Sequence, residues 1–86
     1  MNRAPARILV VDDEEHLAAG IRENLVAEGY KTDVAHDGEQ GLTKIRGGAF
    51  DLIVLDVMMP KLDGLEVCRR LKSSPQGMLT PILLIS

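Results

Sequence analysis

Three aspartates carry most of the reactive chemistry in this chain. Asp12 and Asp13 follow the apolar run Ile8 to Val11. Asp56 closes the run Leu52 to Leu55 within "DLIVLDVMMPKLDG", residues 51–64. Carboxylates brought together repel one another, and such a cluster persists only with a proton, a cation or much water. A hard divalent cation is the natural solution. Mg2+ suits best, because it tolerates one or two carboxylates, keeps several waters and accepts phosphate oxygens. Each acid also has a plainer reading. Asp13 could cap a following helix by accepting backbone N–H bonds, and Asp56 alone could be a solvated strand end. Acid at the ends of two strands of one short chain favours a shared site over both.

The surrounding elements must bring these acids to one edge. "RILVVDD" is a β-branched run, read as a buried strand at 7–12. "EEHLAAGIRENLVAEG" has Leu17, Ala18, Ile21 and Leu25 at helical spacing, with acids at its start and Gly29 as its stop. A second strand spans 30–35. A second helix starts near Asp37, with Leu42 and Ile45 inward, and ends at Gly47–Gly48. The third strand spans 51–56; Pro60, lacking an N–H, helps end it, and Gly64 permits a turn beyond. A third helix, about 64–73, turns Val67, Cys68 and Leu71 to one face. "PILLIS" reads as a fourth strand ending at Ser86, and residues 1–6 are expected to be a flexible tail. Alternating strands and helices predict an α/β fold with a parallel sheet, right-handed crossovers and helices on both faces. In such sheets functional groups gather at the carboxyl ends of the strands.

Composition narrows the function. The 86 residues suit one small domain, and 45% apolar with 27% charged is a globular profile. A net charge of −3 and only Tyr30 and Phe50 as aromatics argue against a nucleic-acid surface. Cys68 is the sole cysteine, which excludes an intrachain disulfide and a cysteine metal cluster. No apolar run approaches the roughly 20 residues of a membrane helix, and a cytoplasmic protein is expected. His16 and His36 lack partners at metal-ligand spacing and read as surface residues.

"ILVVDDE" followed by "DLIVLDVMMPKLDG" resembles the receiver domain of two-component response regulators, and the resemblance runs from residue 7 to residue 86. It implies a flavodoxin-like, doubly wound parallel sheet with strand order 2-1-3-4. It implies that Asp56 accepts a phosphoryl group from the phosphohistidine of a sensor histidine kinase. Asp13, Asp56 and the backbone carbonyl of Met58 would bind Mg2+ directly, and Asp12 largely through an intervening water. Ser86 would hydrogen-bond a phosphoryl oxygen and report phosphorylation. The domain would be a phosphoacceptor in signalling, not a turnover enzyme.

The family continues into a fourth helix, a fifth strand with a lysine that pairs with the phosphoryl group, and a fifth helix. These have no counterpart in residues 7–86, where Lys61 and Lys72 lie elsewhere. An incomplete receiver is therefore expected, with weak or absent phosphorylation and self-association through an exposed fourth strand or an exchanged element. Two other functions compete. A Mg2+-dependent phosphohydrolase of the haloacid dehalogenase kind needs a second acid two residues after its nucleophile, where this chain has Met58. An interaction module that keeps the fold without phosphorylation is the other.

Overall fold

The structure is a computed structural model that describes residues 4–60, 62–74 and 79–85. Strands and helices alternate as β1 (Arg7–Val11), α1 (Glu15–Ala27), β2 (Lys31–Ala35), α2 (Gly38–Gly47), β3 (Leu52–Asp56), α3 (Gly64–Lys72) and β4 (Ile82–Ile85). Every strand pair is parallel and the order is β2-β1-β3-β4, as expected. Boundaries differ from expectation by a residue or two. Asp12 lies just past β1, yet its N–H still donates to the Ala35 carbonyl at 3.0 Å, so the ladder outlasts the strand by one bond.

A strand packed on both faces must be apolar at successive positions, which explains the unbroken apolar runs Ile8 to Val11 in β1 and Leu52 to Leu55 in β3. Leu9, Val11, Ile53 and Leu55 face α2 and α3, where Leu42, Ile45, Val67 and Leu71 complete a buried cluster. Ile8, Val10 and Val54 face the other way, onto Ala18, Ile21 and Leu25 of α1. Each fully buried aliphatic side chain contributes roughly 1.5–3 kcal/mol, so the two central strands are the most firmly held part of the sheet. The acids that follow them inherit that rigidity.

Helix α1 ends as expected at Gly29, whose φ of 96° suits a residue without a Cβ. The Tyr30 N–H donates to the Leu25 carbonyl and the Gly29 N–H to the Val26 carbonyl, the paired bonds of a Schellman cap. Leu17 departs from expectation. It shares the helical spacing of Ile21 and Leu25, yet it is 50% exposed. Ala18, Ile21 and Leu25 alone define the packed stripe, and Leu17 lies about 100° around the helix from Ala18. Cys68 is only partly buried against the larger cluster. Among the described residues β4 is bordered only by β3, and Leu83 and Leu84 are exposed on opposite faces of the sheet.

Candidate functional site

Strand register brings the acids together. β1 and β3 pair with Val11 beside Leu55, so the next residues on each strand, Asp12 and Asp56, are neighbours. Both continue the parity of the α1-facing residues, and so leave the sheet on the same side. Asp13 joins them: one carboxylate oxygen from each of Asp12, Asp13 and Asp56 lies within 4.8 Å of the others. Asp12 is 1% exposed and Asp56 8%, while Asp13 faces solvent.

Two turns hold this arrangement. After β1, Asp12 Oδ1 accepts the Glu14 N–H at 2.9 Å. The cap of α1 is then Glu14, whose carboxylate accepts the N–H groups of His16 and Leu17 at 3.2 and 2.6 Å. Capping by Asp13, the plainer reading of that residue, is thereby excluded, and its carboxylate is left at the acid cluster. Glutamate is an uncommon cap, so propensity alone pointed to the wrong residue. After β3, the Val57 N–H donates to the Ile85 carbonyl at 2.8 Å, and Asp56 Oδ1 accepts the Met58 N–H at 3.0 Å. The strand therefore ends on a turn made by Asp56 itself, and Pro60 lies beyond the stop rather than causing it. Met59 is buried in the core and Met58 points outward, 74% exposed.

Gly64 also does something other than expected. Its φ is not positive, so no left-handed turn requires a glycine there. Instead, a Cβ at this position would fall on the carbonyl oxygen of Asp56 and come within 2.7 Å of the Val57 Cα. A close approach of backbone to backbone explains the glycine, and no local sequence pattern distinguishes that from a turn.

Burial pushes the Asp12 carboxyl above the ordinary carboxylate range. The Glu14 N–H pulls it back, and the charge of Asp56 beside it pushes it up again. Asp12 Oδ2 is buried without a hydrogen-bond partner. A buried carboxylate oxygen left unpaired is costly, and three converging carboxylates compound the cost. An all-oxygen donor set with an unpartnered buried atom fits a hard divalent cation. The Met58 carbonyl lies in the same turn, two residues past Asp56. Ser86 and Lys61, both singled out from the sequence, lie outside the described residues. His16 and His36 are exposed and take no part in the cluster. No helix among the described residues is long and apolar enough to cross a membrane.

Known proteins share both the pattern and the fold. The family model for the response regulator receiver domain matches residues 8–86. Response regulator MprA of Mycobacterium avium is 48% identical over 80 residues, which are 93% of this chain and 34% of that protein. The chain thus spans about a third of the length of the curated relatives it matches. Among solved structures, chemotaxis protein CheY4 of Vibrio cholerae superposes with a TM-score of 0.91 at 34% identity, covering 94% of this chain and 68% of that one. The receiver domain of sensor histidine kinase PA1611 from Pseudomonas aeruginosa, with a magnesium ion coordinated in its active site cleft, gives 0.91 at 28% identity, covering 96% and 68%. Sequence, strand order and superposition agree over nearly the whole length, and the chain belongs to the response regulator receiver domain family.

Proposed function

We propose that Asp56 accepts a phosphoryl group from the phosphohistidine of a sensor histidine kinase, in a Mg2+-dependent cytoplasmic phosphorelay, and that the domain is a phosphoacceptor rather than a turnover enzyme. The observation that carries this reading is the convergence of Asp12, Asp13 and Asp56 within 4.8 Å at the end of the two central strands. Asp13, Asp56 and the Met58 carbonyl would hold the ion directly, and Asp12 through water. When bound, Mg2+ offsets repulsion between an anionic nucleophile and an anionic phosphoryl group and steadies charge on the equatorial oxygens. The PA1611 receiver, similar in fold, has magnesium in its cleft.

The chain's own part is positioning. The Met58 N–H engages Asp56 Oδ1 and leaves the second carboxylate oxygen for transfer. That oxygen forms the new bond to phosphorus. The bond from phosphorus to the imidazole nitrogen breaks, and its electron pair stays on the ring, which takes up a proton. A rigid strand beneath Asp56 keeps the oxygen oriented and lowers the entropic part of the barrier. The product adds about one further negative charge at the rim, where the Ser86 hydroxyl would hydrogen-bond a phosphoryl oxygen. The phosphohydrolase alternative gains no support, because the residue two past Asp56 is Met58, with no acid to offer a leaving group.

The test is incubation with a small acyl phosphate and Mg2+ of a protein that carries this chain together with a lysine-bearing fifth strand. Intact mass should rise by one phosphoryl group. Asp56→Asn or chelation of the metal should abolish the gain. A folded, Mg2+-bound protein that never gains that mass, or an Asp56→Asn variant that still does, would overturn the proposal.

A further inference from the structure

We infer that Gly64 is a positioning residue for the Asp56 site: because it lacks a Cβ, the first residue of α3 can lie directly against the Asp56–Val57 peptide, and that contact sets where the Asp56 carboxylate stands. This rests on the acid cluster being a Mg2+ site. The contact is with backbone, which cannot rotate aside as a side chain can. A Cβ on Gly64 would lie 2.7 Å from the Val57 Cα and 2.8 Å from the Asp56 carbonyl carbon, as well as on the carbonyl oxygen. Gly29 has open space at the same position, and a Cβ on Gly41 would meet only Val11 side-chain atoms.

The peptide has little room to yield. The Val57 N–H is held by the Ile85 carbonyl at 2.8 Å, and the Val57 carbonyl accepts the Gly64 N–H at 3.1 Å. The loop beyond is anchored by Met59 and Leu62, buried with Val67 and Leu71 of α3. From the other side, Gly38 of α2 comes so close to the loop that a Cβ there would lie 2.8 Å from the Leu62 carbonyl oxygen. Asp63 caps α3 through the Glu66 N–H at 2.9 Å, which fixes where the helix starts. A methyl group at 64 therefore either lifts the first turn of α3 off its core or pushes the Asp56–Val57 peptide away. Mg2+ demands near-ideal octahedral geometry, so a displaced Asp56 carboxylate is felt in affinity before it is felt anywhere else.

Calorimetric titration with Mg2+ alone tests this. Gly64→Ala should raise the dissociation constant by about tenfold or more, the usual scale for losing a group that orients a metal ligand. It should also narrow the preference for Mg2+ over the larger, less exacting Ca2+. Ile45→Val, in the same core but away from that peptide, should lower the thermal midpoint and change neither quantity. An unchanged constant in Gly64→Ala, or a parallel loss in Ile45→Val, overturns the proposal. Should Gly64→Ala not fold, the unmodified chain decides through linkage. Saturating Mg2+ should slow hydrogen exchange of the Gly64 amide more than that of the Gly41 amide, which donates to the Asp37 carbonyl in α2. Equal slowing overturns it. A chain that takes up no Mg2+ overturns both this proposal and the metal site; uptake with an indifferent Gly64 overturns this proposal alone.

Discussion

On the outer face of α3, Glu66 accepts hydrogen bonds from Arg69 and Arg70, which hold its carboxyl down to about 2. At the end of β1, Asp12 is buried beside two more acids and its carboxyl is held above the ordinary range. One acid has two cations as neighbours and open solvent; the other has burial and like charge. Glu66 is what helix-surface electrostatics produces unaided, since residues three and four apart face each other. Asp12 is the opposite, a local conflict of a kind that folded chains keep mainly where a site needs it. The contrast teaches where to look for function: not at the most charged surface, but where charge is placed against its own stability.

The largest expected effect falls on the rim. Asp13→Asn removes one carboxylate from the ion's donor set and should weaken Mg2+ binding by about tenfold or more. Thermal melts check this. The midpoint of the unmodified chain should climb with Mg2+, as it must for any ligand of the folded state, and that of Asp13→Asn should stay nearly flat. Equal climbs would erase the distinction between rim and surface acids.

Next comes the metal-free chain. Asp12→Asn keeps an acceptor for the Glu14 N–H and replaces a repulsive neighbour of Asp56 with a donor. It should stabilise the apo protein at neutral pH by about 1–3 kcal/mol, read from urea denaturation, while weakening Mg2+ binding. The pH dependence sharpens the point. A folded-state carboxyl raised above its unfolded value keeps a proton that the unfolded chain releases. Its stabilising effect is therefore present at low pH and lost as pH rises from about 4. The gain from Asp12→Asn should accordingly be larger at pH 7 than at pH 4. A gain that shrinks with rising pH would contradict the assignment.

The smallest effect is at Glu66. Its lowered carboxyl contributes stability above its ordinary value and loses it as pH falls toward about 2. Exposed pairs are screened by solvent and salt, so Glu66→Gln should lower the thermal midpoint only slightly, a smaller shift in size than either change above produces. That small loss should vanish in acid and fade in high salt. A loss as large as the change at Asp12 would mean that the two acids differ less than their surroundings suggest.

Much of this was legible residue by residue. The alternation of apolar runs with helical spacing predicted seven elements to within a residue or two, because β1 and β3 must be apolar on both faces and Gly29 must end α1. Leu17 shares the spacing of the packed stripe but not its burial, because a one-residue rotation around a helix is below what spacing resolves. Asp13 had two readings, helix cap and shared acid site, and Glu14 takes the cap. Pro60 looked like the end of β3, but Asp56 ends it through its own carboxylate.

Residue type and order alone determined that acids follow two apolar strands, that the strands alternate with helices, and that an ion-binding edge was the chemistry to expect. Those features are local or periodic, and periodicity survives in one dimension. Only the tertiary structure decided that Asp12 is buried with an unpartnered oxygen, that Met59 turns in while Met58 turns out, and that Gly64 is a point of contact with the Asp56 peptide. Each depends on how closely segments distant in sequence approach once packed, and interatomic distance between such segments is a quantity no linear pattern carries.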